Sequence, residues 1–192
     1  MKITPVLLVV LLLTLFATSL VQAQTTEKIT LYADRAGTDC SISDTREGTL
    51  FVYMFHVGTT GTRNGCEFRA PKPECWTGAT WVGDNFQPSF LYIGTSQGGD
   101  LSVAYAACLP LPVYIGKMIF EVTGAAQACC PYPVLSSVWH PSVLTVDCQI
   151  PPPQEIPILG GSAVINEDPS CPCEPPLAVE STTWGRVKSL YN

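Results

Sequence analysis

The chain has 192 residues, with ten basic and sixteen acidic side chains and a formal charge of −6. An acidic balance of this kind argues against nucleic acid or an anionic membrane as partner. The length is enough to bury a single core unaided.

Residues 1–23 open with Lys2, continue through an apolar run over 6–16 interrupted by Thr14, and end on Val21-Gln22-Ala23. A basic start, a short apolar core and a small-x-small cleavage site make a secretory signal peptide. The core is too short and too broken for a transmembrane anchor, and no second run is long enough to span a bilayer. The exported chain is expected to begin near Gln24 with a formal charge of −7, and to reside outside the cell, on its surface or in the periplasm.

From there the chain reads as strands. Residues 29–33 alternate as an edge-type strand, followed by turn chemistry over 34–39. Residues 49–57, Thr-Leu-Phe-Val-Tyr-Met-Phe-His-Val, are apolar or aromatic on both alternating faces, which predicts a central strand covered on both sides. The segment 58–65 reads as a hairpin connection with a type I′ signal at Asn64-Gly65, and 66–70 as the returning strand. Pro71 and Pro73 interrupt pairing after it. Further strands are expected at 79–82, 89–93, 101–106, 113–122, 143–148 and 162–166, separated by Gly, Pro, Asn and Asp. Eight or nine strands at this spacing predict an all-β domain over residues 24–166, an antiparallel sandwich of immunoglobulin-like or jelly-roll type.

Composition shifts after Asn166. Residues 167–179 are proline-rich and read as an extended, semi-rigid linker. Residues 180–192 form a tail in which Trp184, Val187 and Tyr191 fall at helical spacing with Leu190 alongside, predicting one short C-terminal helix.

The leader, the Ile29-Thr30-Leu31-Tyr32-Ala33-Asp34-x-x-Gly37-Thr38 stretch, the Glu67-Phe68 strand and the closing Thr183-Trp184-Gly185-Arg186-Val187-Lys188-x-Leu190-Tyr191 resemble a group of exported proteins of environmental bacteria that has no assigned activity. More loosely, the strand pattern is similar to cohesin-type and carbohydrate-binding modules. The resemblance implies export and a sandwich, and carries no catalytic residue.

The nine cysteines, Cys40, Cys66, Cys75, Cys108, Cys129, Cys130, Cys148, Cys171 and Cys173, all lie in the exported part. In an oxidising compartment they are disulfide candidates. Being odd in number, they leave one over, and Cys66 is the choice. Neighbours in Cys129-Cys130 and in Cys171-Pro172-Cys173 are badly placed to bridge each other. Each pair is therefore expected to reach two partners, tying the linker to the sandwich. Paired thiolates also bind soft metals, but neither pair has the zinc-knuckle spacer, so no metal or cofactor is assigned.

Gly94-Thr95-Ser96-Gln97-Gly98 fits the nucleophile-elbow pattern, yet a strand and not a helix is expected after it. His56 and His140 are isolated and read as structural. Glu167-Asp168 lacks the further oxygens a Ca²⁺ site needs. Trp76 and Trp81 read as packing, while Trp139, among prolines and serines, is the candidate for an exposed sugar-stacking ring. Trp184, Val187, Leu190 and Tyr191 form a candidate interaction face on the tail, set beside Arg186 and Lys188.

The residues rank three functions. First is a secreted, non-catalytic structural or interaction module whose tail is the candidate attachment to the cell surface or an extracellular assembly, with a protein partner. Second is a carbohydrate-binding module using exposed aromatics. A serine hydrolase is third.

Overall fold

The computed structural model describes residues 27–148 and 152–173. The signal peptide, the linker beyond Cys173 and the tail, with Trp184, Val187, Leu190 and Tyr191, lie outside the described residues. Those described form twelve strands and no helix: β1 (Lys28–Tyr32), β2 (Ser41–Ile42), β3 (Gly48–Val57), β4 (Thr62–Phe68), β5 (Ala79–Phe86), β6 (Leu91–Gly94), β7 (Leu101–Pro110), β8 (Val113–Val122), β9 (Cys130–Pro133), β10 (Val143–Asp147), β11 (Glu155–Gly160) and β12 (Ser162–Ile165).

Nine of them make one curled sheet in the order β5-β8-β3-β1-β11-β10-β4-β7-β6, and β2-β12-β9 make a second, small one. The two halves of the large sheet meet where β1 pairs in parallel with β11 through only two residue pairs. They close on a common core, in which Tyr105 of β7 reaches His56 of β3. Gly161 separates β11 from β12 and passes so close to β1 that a Cβ there would meet Thr30 Oγ1 at 2.6 Å. Its N–H donates to the Ile29 carbonyl. The chain thus crosses from one sheet to the other where only glycine fits.

The two-sided strand of the sequence is β3, paired with β1 and β8. Val52 and Met54 face inward and are fully buried. Phe55 faces outward and is also buried, packed with Tyr32, Cys40, Tyr53, Tyr114 and Cys173. The outer face is therefore covered in part by the linker, which a disulfide holds there. At the far end of the core Trp76 is fully buried against Phe120, with ring centroids 4.5 Å apart. Its indole N–H donates to Asp44, whose carboxylate also accepts from the Ala126 amide and from Asn166. A buried carboxylate with this many donors is satisfied.

Four disulfides join Cys40 to Cys173, Cys75 to Cys130, Cys108 to Cys148 and Cys129 to Cys171. The adjacent Cys129 and Cys130 bridge to different partners, and Cys171 and Cys173 pin residues 171–173 to the domain at two points. Cys66 is unpaired and buried.

The all-β class stands, with three differences from the sequence reading. There are twelve strands where eight or nine were expected, because β2, β9 and β11 are short or proline-containing and owe their pairing to neighbours distant in sequence. The pairing is not wholly antiparallel: β1–β11 and β2–β12 run parallel. Asn64-Gly65 is not a hairpin turn but part of β4, where the register with β7 shifts between Arg63 and Gly65. Against β10 the step from Arg63 to Gly65 matches the single step from Asp147 to Val146, so the extra β4 residue is absorbed there as a bulge.

Candidate interaction surface

Inside the sandwich a polar chain runs from Arg63 to Cys66. Glu27 accepts from Arg63 Nε at 2.7 Å and from Arg63 Nη2, and its Oε1 lies 2.8 Å from His56 Nε2. The Tyr105 hydroxyl stands 3.0 Å from His56 Nδ1 and 3.3 Å from Cys66 Sγ. Burial disfavours the Glu27 carboxylate, but the hydrogen bonds from His56 and Arg63 outweigh it, and Glu27 sits below its ordinary value. Burial pushes the Cys66 thiol up to about 12 and raises Tyr105 well above a free phenol. A thiol held protonated is a poor nucleophile and a poor metal ligand. Glu27, His56, Tyr105 and Cys66 are all buried, so the network is part of the core.

Apart from Trp139, the other described residues flagged in the sequence are also engaged within the fold. Ser96 is fully buried, and its hydroxyl and amide donate to Asp84 at 2.7 Å each. A strand, β7, follows it in place of the helix an elbow needs. His140 lies 3.6 Å from Glu67. Asp168 accepts from the amide and hydroxyl of Ser170, and Glu167 from the Cys173 amide. Cys129, Asp168 and Cys171 lie together, but the two sulfurs are bonded to each other and offer no thiolates. Trp81 is half-buried and donates to Asp84. Trp139 is 75% exposed.

What the sequence did not single out is the outward face of β10, β4, β7 and β6. Strand alternation sends Leu144 and Val146 of β10, Glu67 of β4, Ser102 and Ala104 of β7, and Leu91 and Ile93 of β6 to the same side. Together with Glu155 they line an open groove of about 430 Å³. Leu91 and Ile93 are 77% and 76% exposed, standing as an aliphatic wall on the last strand of the sheet. The Ser102 hydroxyl donates to Glu67 Oε2, while Glu67 Oε1 is buried with no hydrogen-bond donor among the described residues. The loop carrying Trp139 leans over one end of this face, since Val138 donates its amide to Gly99 in the β6–β7 turn and His140 approaches Glu67. The signal available in the sequence was residues 90–93, Phe-Leu-Tyr-Ile, apolar at every position where a half-buried edge strand should alternate.

No protein-family model matches the chain, and no curated protein matches it. Among solved structures, a chain from the crystal structure at pH 5.5 of a complex between a CaDoc0917 variant and CaCohA2 is similar over 74% of this chain and 100% of its own, with a TM-score of 0.47 and 12% identity. A likeness that loose bears on neither function nor partner.

Proposed function

We propose that the protein is an exported, non-catalytic interaction module that engages a protein partner through the groove on β4, β6, β7 and β10, with its tail as the attachment to a surface or assembly. The observation that carries this reading is the pair Leu91 and Ile93, more than three-quarters exposed beside a concave apolar strip. Contiguous apolar surface rimmed by polar groups is uncommon on a chain that works alone. The wall is aliphatic, which suits apolar side chains of a protein better than sugar rings, which stack on aromatics. Glu67 and Glu155 in the same groove favour a partner that presents a basic residue among its apolar ones.

The test places a photo-crosslinking residue at position 93 of full-length protein in its native envelope or medium, with the same residue at Val82 as control. Val82 is 62% exposed but lies on β5, in the other half of the sheet. A discrete adduct from position 93 and none from 82 supports the reading; no adduct, or the same adducts from both, sinks it. Cell fractionation beside a version ending at Pro176 tests the tail: release of the shortened form alone is the expected result, and identical distribution would remove the tail from the proposal.

A further inference from the structure

We propose that a second site, formed by Arg35, Tyr53, Asn85, Gln87, Tyr114 and Lys117 on the opposite half of the sheet, binds a carboxylate-bearing saccharide. The pairing of β3, β8 and β5 sets Tyr53, Lys117 and Asn85 in one row, each the direct neighbour of the next. Tyr114 stands on β8 and Arg35 comes from the turn after β1, so that these residues enclose a pocket of about 230 Å³.

The pocket wall is held in place by the backbone. At Gly116 a Cβ would meet the Asn85 carbonyl at 2.5 Å, so β5 lies against β8 as closely as a missing side chain permits. The Gln87 amide then donates to the Ile115 carbonyl at 3.2 Å. The backbone at Asn85 and Gln87 is thereby fixed at the rim, where their side chains supply amide donors and acceptors.

Charge gives the ligand its sign. The chain as a whole is acidic, yet this pocket is lined by two cations and no carboxylate. Asp34, next to Arg35, is turned into its own loop, where it accepts from the Thr38 amide and hydroxyl and from the Asp39 amide. Neither Arg35 nor Lys117 has an ion-pair partner among the described residues. Each is seated on an aromatic face instead: Lys117 Nζ lies 3.7 Å from the Phe51 ring centroid and the Arg35 guanidinium carbon 5.7 Å from that of Tyr114. Such seats hold a cation without consuming its N–H donors.

Two cations free to donate call for an anion, and a bidentate guanidinium suits a carboxylate. The Tyr53 ring, 6.2 Å from that of Tyr114, offers apolar surface for a sugar's C–H face, and the amides and phenols pair with hydroxyl groups. The Tyr114 hydroxyl is protonated at neutral pH, as a phenol ordinarily is, and burial raises it further. A short concave pocket of this kind takes one ring with its carboxylate better than it takes an extended acidic peptide.

The experiment is calorimetric titration of the full-length exported protein with oligosaccharides of galacturonate, glucuronate and mannuronate, beside neutral cello-oligosaccharides and poly-glutamate. At least one uronate should bind, with the neutral sugars and poly-glutamate roughly tenfold weaker or worse. Arg35→Gln and Lys117→Gln should each weaken that binding by about tenfold, the loss of one charge-assisted contact, with unchanged thermal unfolding. Absence of uronate binding, equal binding of poly-glutamate, or unaltered affinity in both folded variants would overturn the proposal. The groove and this pocket lie on different halves of the sheet, so each test stands without the other.

Discussion

Glu27→Gln is the most informative single change in the core. The side chain is buried and takes three contacts, from His56 Nε2, Arg63 Nε and Arg63 Nη2. Glutamine keeps the volume and one acceptor oxygen but turns an NH₂ toward donors, leaving at least one charged partner without an acceptor. Hydrogen bonds to charged groups contribute about 1.5–3 kcal/mol, and breaking a buried ion pair costs about 3–5 kcal/mol, so the expected loss at neutral pH is about 3 kcal/mol. For a domain of this size that lowers the melting temperature by roughly 6–12 °C. The pH dependence has a definite sign. Glu27 is depressed below its ordinary value of 4.5, so its stabilisation is complete above that value and fades as pH falls through the lower folded-state value. Glutamine does not titrate, and the gap between the two proteins must narrow in acid. Urea unfolding with the disulfides intact, at neutral pH and again below the carboxylate range, measures both. A gap that stays constant or widens in acid, or a neutral-pH difference under about 0.5 kcal/mol, would refute the role given to Glu27.

Other consequences follow from burial and pairing. The native protein should show no thiol toward a maleimide or aromatic disulfide reagent at neutral pH, since Cys66 is buried and its thiol is pushed up to about 12; one thiol should appear in denaturant without reductant, and two or more would contradict the disulfide set. Trp76→Ala should cost about 3–5 kcal/mol by leaving a core cavity and an unpartnered Asp44, whereas Trp139→Ala should fall within about 0.5 kcal/mol of wild type in chemical unfolding. The fraction of tryptophan fluorescence that acrylamide quenches should nevertheless fall in the Trp139→Ala protein, because Trp139 is the exposed ring among the described tryptophans.

The β3 pattern was legible because a strand's period of two forces alternate side chains to opposite faces, and residues that are apolar at every position need cover on both. The parallel seam between β1 and β11 was not legible, because it joins residues 28–29 to 159–160 and no local signal encodes a partner so far away. Asn64-Gly65 misled for a related reason: its turn preference is real, but pairing to β7 and β10 on both sides absorbed it into a bulge.

For the sites the division falls in the same place. Cysteine number and spacing in an exported chain carry the expectation of bridges between separate segments, and the poor context of Gly94–Gly98 was readable from the strand that follows. The groove and the cationic pocket were not readable. Leu91, Ile93, Arg35, Tyr114 and Lys117 are ordinary strand and turn residues until register decides which of them share a face. The sequence by itself determined the all-β class, because periodicity and turn residues act over a few positions. Only the tertiary structure decided which apolar residues stayed outside and which cations lost their carboxylates, because both depend on strand neighbours brought together from across the chain.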